Sequence, residues 1–194
     1  MSSERTPIIG IHLDLKGTAF KPSYLPELMA DLAAQGINAV LVEYEDAFPF
    51  DGLDIAYDKD TVFSKETLAR FRAEAARHGI AIIPLQQCLG HLEYLFRWKK
   101  YAKFAEDRTY PSTLSLADEQ GKALVKAMLR QVIAAHPESR YVHLGMDEAH
   151  GLHQAAARLN RPVLALFIAW LHELIDVCEA GGKTPIIWSD MLED

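Results

Sequence analysis

The stretch "LDLKGTAF", Leu13 to Phe20, ends the first apolar run of the chain with two charged residues and a single glycine. An open, doubly wound α/β sheet usually follows its first strand with a glycine-rich turn, G-x-G-x-x-G, that lets the backbone close around a phosphate. No such turn is present in this stretch. Upstream, "IIGIHLDL" (Ile8 to Leu15) is apolar and β-branched at its start, which predicts a strand. Downstream, "YLPELMADLAAQG" (Tyr24 to Gly36) carries apolar residues at helical spacing and closes on Gly36 as a C-terminal cap. The first βα unit is thus joined by a turn unsuited to a nucleotide.

The beat of strand and helix repeats along the chain. "NAVLVEY" (Asn38 to Tyr44) predicts a second strand, followed by a helix from Lys65 to His78 that Ser64 introduces and Gly79 ends. "IAIIPLQQ" (Ile80 to Gln87) reads as the third strand. A helix from Ala117 to Ala135 leads into a fourth strand, Tyr141 to Met146. A last helix enters through Asn160 and Pro162, stops at Gly181 and Gly182, and delivers "PIIWSD" (Pro185 to Asp190). Five apolar strands alternating with helices imply a parallel sheet covered by helices. With no phosphate turn after the first strand, the predicted fold is a (β/α)8 TIM barrel.

Polar residues collect where each predicted strand ends: His12 and Asp14, then Glu43, Glu45 and Asp46, then Gln86, Gln87 and His91, then Asp147 and Glu148, then Trp188 and Asp190. Barrel enzymes build their sites at that carboxyl rim. With 194 residues, 49% of them hydrophobic and 24% charged, the chain can bury one sizeable core. A net charge of −7 offers no general attraction to phosphate backbones or anionic lipid, so neither nucleic acid nor a membrane surface is an expected partner. "FRWKKYAKF" (Phe96 to Phe104) mixes bases and aromatics, but in an acidic chain it reads as a rim helix covering the barrel. Two cysteines, Cys88 and Cys178, make no disulfide framework, Met1 to Pro7 lacks the apolar core of a signal peptide, and no apolar run approaches the roughly 18 residues that span a bilayer. A reduced, cytoplasmic protein is expected.

Three segments carry a resemblance. "HLGMDE" (His143 to Glu148) resembles the H-x-G-G-D-E signature of the family-20 glycoside hydrolases, the β-N-acetylhexosaminidases, with Met146 in place of the second glycine. "IIPLQQCLGH" (Ile82 to His91) is similar to that family's third strand and the P-G-H that follows it, with Leu89 replacing the proline. "GKTPIIWSDM" (Gly182 to Met191) resembles its fifth strand, and "HLDLKG" and "EYEDAFPF" resemble its hexosaminidase D branch. Many members have an arginine near the end of the first strand to hold the sugar's outer hydroxyls; Lys16 and Gly17 occupy that region here.

The resemblance implies a chemistry for "RYVHLGMDEAH" (Arg140 to His150), where two carboxylates stand side by side at the end of a buried strand. Glycoside cleavage requires an acid to protonate the leaving oxygen and a group that stabilises a positive centre. By resemblance, Glu148 is the general acid and then the base that activates water. Asp147 accepts the N–H of the substrate's 2-acetamido group, whose own oxygen is the nucleophile. The implied substrate is a glycan or glycoconjugate ending in N-acetylhexosamine, with no metal and no cofactor. His91 is expected to polarise the acid pair or touch substrate, and Trp188 to face the sugar's apolar side. Asp14, Glu45 and Asp190 are candidate substrate-binding residues by their rim positions. His143 lies mid-strand and reads as a hydrogen-bonded core histidine.

Successive side chains on a strand face opposite ways, so Asp147 and Glu148 can share a site only if regular strand ends at Gly145. Two other readings stay open. One is a metal-dependent barrel hydrolase or isomerase using His12, Asp14, His91, Asp147 and His150; the other is a non-catalytic carbohydrate-binding fragment. A full barrel takes eight strands and typically about 250 residues. The chain is therefore expected to be one catalytic-barrel domain, residues 1–194, incomplete after its fifth βα unit. Its open edges would favour self-association.

Overall fold

A computed structural model of the chain describes residues 7–18 and 20–192. The reading of Met1 to Pro7 as lacking a signal-peptide core therefore falls, up to residue 6, outside the described residues. Five strands, β1 (Gly10–Asp14), β2 (Ala39–Glu43), β3 (Ala81–Leu85), β4 (Tyr141–His143) and β5 (Thr184–Ile186), form one parallel sheet in the order β1-β2-β3-β4-β5. Each strand lies beside the one before it in sequence. A doubly wound sheet would reverse direction at a switch point, so this order selects the barrel and gives an arc of five of its strands.

Register sorts the side chains into layers. Asp14 lies beside Glu43, Glu43 beside Leu85, Leu85 beside His143 and His143 beside Ile186, all on one face of the sheet. The opposite face sends Val40, Val42, Ile82 and Val142 into the main hydrophobic cluster. That cluster is closed from outside by α1 (Leu25–Ala34), α2 (Lys65–Arg77), α3 (Glu93–Phe96), α4 (Glu119–Ala135), α5 (Gly151–Leu159) and α6 (Val163–Ala180). The helices present apolar stripes at turn spacing. Val125, Met128, Leu129 and Val132 are buried on α4, and Phe167, Trp170, Leu174 and Val177 on α6.

Capping explains most of the helix boundaries. The Ser64 hydroxyl accepts from Thr67 N at 3.0 Å to start α2, and Asp118 does the same for Gly121 N at 2.9 Å on α4. α4 thus begins two residues later than the apolar pattern predicts. Between β4 and β5 the sequence reading needs correction, because two helices stand where one is predicted. Asn160 adopts φ +50° and closes α5, and Pro162 alone introduces α6. The Phe96–Phe104 segment covers the rim, but as the end of α3 and a 3₁₀ turn rather than one helix; Phe96, Tyr101 and Phe104 are buried while Lys99 and Lys100 are exposed. Cys88 and Cys178 are both free and buried. No helix among the described residues is long and apolar enough to cross a membrane.

Lys183 fixes the amino end of β5. Its buried ammonium donates to the carbonyls of His136 at 2.9 Å, Pro137 at 3.1 Å and Ser139 at 2.6 Å, tying the strand to the loop that leaves α4. Replacing it leaves three carbonyls short of a donor. Lys183→Met should lower unfolding stability by about 1–3 kcal/mol, measured by chemical denaturation; an unchanged midpoint would show that water serves those carbonyls equally well.

Candidate active site

The chain stays locked between its neighbours one residue beyond β4. Leu144 N donates to Ile186 O at 2.9 Å and Leu144 O accepts from Cys88 N at 3.0 Å. Regular strand then stops. Gly145 takes φ +65°, Met146 +78° and Glu148 +44°, all left-handed. This region is open to glycine but strained for the other two, and it ends the alternation that would have pointed Asp147 and Glu148 apart. The fourth strand is thus three residues shorter than the apolar run, and both carboxylates reach one site. Met146 holds its unfavourable φ with a fully buried side chain, so packing offsets the strain.

His91 brings the pair together. Its Nε2 lies 3.2 Å from Asp147 Oδ2 and 3.5 Å from Glu148 Oε2. His91 is itself left-handed, at φ +54°, on the loop after β3. The preceding residue, Gly90, runs so close to the acid pair that a Cβ there would sit 2.2 Å from the Asp147 carbonyl oxygen. The hydrogen bond to Asp147 raises the affinity of His91 for its proton above the ordinary value. On Asp147 burial pulls upward, but the hydrogen bond and the charge of His91 hold the carboxyl below its usual value. Asp147 is three-quarters shielded while Glu148 remains largely exposed, with 21% and 63% of their side chains accessible. Among the described residues Asp147 Oδ1 is buried without a hydrogen-bond partner.

The remaining predicted residues divide. Asp190 comes to the site but works on the backbone: its Oδ2 accepts from Glu148 N at 3.0 Å. Trp188 N donates to Gly145 O at 3.1 Å, and the indole lies 4.5 Å from the His143 ring and 6.0 Å from that of His12. Asp14 caps its own turn, accepting from Lys16 N at 2.8 Å. Glu45 is buried at φ +48° against Lys16, 3.1 Å away; burial lifts its carboxyl to about 7 despite that cation. His143 is buried, as expected of a core histidine. Its Nδ1 accepts from Gly145 N at 3.0 Å, and burial drops it to about 4, so at neutral pH it is uncharged.

Sequence reasoning gave Glu43 and Gln87 no role. Buried Glu43 takes Gln87 Nε2 at 2.8 Å on one oxygen and His12 Nε2 at 3.0 Å on the other. The signal was available in strand alternation, since Asp14 and Glu43 hold matching inward positions. The five residues of the metal-site reading are not gathered: His12 pairs with Glu43, His91 with Asp147, and His150 is exposed. Among the described residues no group of three or more His, Cys, Asp or Glu could hold a metal ion.

No protein-family model matches the chain. Hexosaminidase D of Homo sapiens is 31% identical to it over 192 residues, which cover 95% of this chain and 40% of that protein. Hexosaminidase D of Bos taurus is also 31% identical, with 95% and 56% covered. Over nearly all of its length the chain is thus similar to hexosaminidase D. It spans about half or less of the length of these two proteins. Solved structures agree on the fold. The chitobiase of Flavobacterium johnsoniae matches at TM-score 0.81 and 16% identity, covering 98% of this chain and 32% of that one. The family-20 β-N-acetylhexosaminidase of Streptomyces coelicolor A3(2) matches at 0.77 and 19%, covering 96% and 40%. A Streptomyces plicatus β-hexosaminidase in complex with product (GlcNAc) matches at 0.78 and 18%, also covering 96% and 40%.

The His91–Asp147 pair makes stability depend on pH. A raised histidine contributes fully below 6.5 and loses its contribution as pH rises through its raised value; a lowered aspartate contributes fully above 3.8 and loses it as pH falls through its lowered value. The difference in melting temperature between wild type and His91→Gln should therefore be greatest between about pH 4 and 6.5 and shrink above neutrality. A pH-independent difference would refute the pairing. Gly90→Ala should cost about 1–3 kcal/mol of stability, because the Asp147 backbone cannot yield as a side-chain tip would; a neutral result would show that the two loops are not in contact.

Proposed function

We propose that the chain carries the acid–base centre of a glycoside hydrolase that removes terminal β-linked N-acetylhexosamine with retention of configuration. The observation that carries this reading is the state of the adjacent carboxylates. Asp147 is sheltered, held ionised by His91, and keeps Oδ1 buried with nothing to accept from. A buried acceptor without a donor is costly, so the site is complementary to a ligand that brings an N–H. A 2-acetamido group does so. With its N–H held by Asp147, the acetamido oxygen is turned towards the anomeric carbon and supplies the nucleophile, and the carboxylate stabilises the positive charge that develops on the group.

Glu148 has the complementary position. Its exposed carboxyl reaches towards solvent, where a leaving group departs and a water arrives, while Asp190 and His91 fix its backbone and its far oxygen. It protonates the glycosidic oxygen in the first step and takes a proton from water in the second. Trp188 lies against the inner ring of His143 and can offer its indole face to the sugar. The names of the curated relatives and the product bound to the Streptomyces plicatus neighbour support the substrate class. Two free, buried cysteines fit a reducing, cytoplasmic setting. The partners are glycans or glycoconjugates, and a second copy of the chain through the sides of β1 and β5 that pair with no strand among the described residues.

Glu148→Gln should reduce turnover of N-acetylglucosaminides with poor leaving groups by about 10²–10⁴-fold and that of nitrophenyl N-acetylglucosaminide far less, because a good leaving group needs little protonation. Equal small losses on both would remove Glu148 from the role. Asp147→Asn should damage both substrates, since acetamide attack precedes departure of any leaving group. Glycan binding by the wild-type chain without turnover would favour the non-catalytic carbohydrate-binding reading. Light scattering of the purified chain should give a mass above the monomer; a stable monomer would show that β1 and β5 do not pair between copies.

A further inference from the structure

We propose that Thr113 is a positioning residue for the acid pair: its hydroxyl caps α5 from a distant segment, while the residues on either side of it hold the loop that carries His91. The inference rests on the reading of Asp147 and Glu148 as the acid–base centre. α5 begins at Gly151, three residues after Glu148, and His150 at its N-cap makes no side-chain capping bond. The Gly151 N–H donates instead to Thr113 Oγ1 at 3.1 Å, across 38 positions of sequence. A buried helix start must find acceptors for its first N–H groups, and here one comes from the loop between α3 and α4. Thr113 is 2% exposed, and a Cβ on Gly151 would lie 2.9 Å from the Thr113 Cβ, so the helix start is seated directly on this side chain.

The loop that carries Thr113 doubles back on itself as a hairpin. Ala105 and Leu114 form an antiparallel bridge, Glu106 N donates to Thr113 O at 2.9 Å, and Ser115 N donates to Phe104 O at 2.8 Å. The hairpin holds the His91 loop on both flanks: Leu114 N donates to Leu89 O and Leu92 N to Ser112 O, each at 2.9 Å. Thr113 stands between these two bonds. The same hairpin grips α5 further along, where Asp107 Oδ2 accepts from Gln154 Nε2 at 3.4 Å and the shielded Glu106 carboxylate takes the Arg158 guanidinium at 2.8 Å. Gly151, Gln154 and Arg158 follow one another at helical spacing, so one face of α5 lies along the hairpin. Between Glu148 and α5 the chain has little slack, because His150 N donates to Glu148 O at 2.8 Å. Movement at the start of α5 is therefore passed to Glu148, and movement of the hairpin to His91. Thr113 is where the two are joined.

Thr113→Val keeps the branched shape and removes the oxygen, whereas Thr113→Ser keeps the oxygen. The charged groups around His91 are Asp147 at 3.2 Å and Glu148 at 3.5 Å, with Lys16 and Glu93 also acting on its charge, and Thr113→Val alters none of them. A change in the His91 titration midpoint, read by NMR of the 194-residue chain carrying ¹⁵N-labelled histidine, therefore reports a change in geometry. Thr113→Val should lower that midpoint, because His91 is held less closely to Asp147. It should also lower kcat for nitrophenyl N-acetylglucosaminide by about tenfold with little change in KM, and Thr113→Ser should restore both. A cap that only holds the helix would cost stability and leave His91 as it was, so a folded Thr113→Val variant with the wild-type His91 midpoint overturns the proposal. Should that variant not fold, amide exchange in the wild-type chain decides: Leu92, Leu114 and Gly151 should be protected alike, as parts of one unit, and a Gly151 amide that exchanges far faster than the other two refutes the link. If the wild-type chain fails to turn over N-acetylglucosaminides, the hydrolase reading falls by itself, while the His91 midpoint and the exchange pattern still report on Thr113.

Discussion

Two adjacent carboxylates can face one cavity only where a strand has stopped being a strand. Most of the site follows from how this chain meets that constraint at the end of β4. The left-handed run at Gly145 and Met146 turns the backbone out of alternation, and Glu148 turns it again. Each of these dihedrals is unfavourable alone or available only to glycine, so the surroundings must hold them. They do so from three sides: Leu144 is clamped to β3 and β5, Gly90 abuts the Asp147 carbonyl, and Asp190 takes the Glu148 N–H.

Electrostatics follow from the same arrangement. Burial would drive Asp147 towards its neutral form, and His91 reverses that preference at close range. Glu45, two strand-ends away, shows the opposite balance: its single cation, Lys16, does not overcome burial, and the carboxyl rises to about 7. The contrast is a matter of donors. Asp147 is served by the imidazole of His91 at close range, whereas Glu45 is served by one ammonium on a half-exposed side chain.

Sequence carried the beat of the fold because alternating apolar strands and capped helices are local properties. Ser64, Gly36 and Gly79 act where the reading puts them. It also carried the acid pair and His91, through short motifs whose order survives in one dimension. It lost α5, because "GLHQAAARL" opens on a glycine without a capping side chain, although Leu152, Ala155, Ala156 and Leu159 stand at helical spacing. It misjudged Asn160, whose left-handed cap looks in sequence like a helix start. The pairings of Glu43 with His12 and Gln87, and of Lys16 with Glu45, were beyond it, because each joins residues from different strand ends and depends on register.

The indole of Trp170 donates to the carbonyl of Cys88 at 2.9 Å, so an outer helix grips the loop two residues before Gly90. Trp170 is fully buried and belongs to α6. Laboratory variation aimed at the acid pair would ordinarily leave such a position alone as scaffold. Here it is a remote handle on the His91 loop, so a library confined to residues beside the acid pair would omit an outer position joined to that loop by a hydrogen bond.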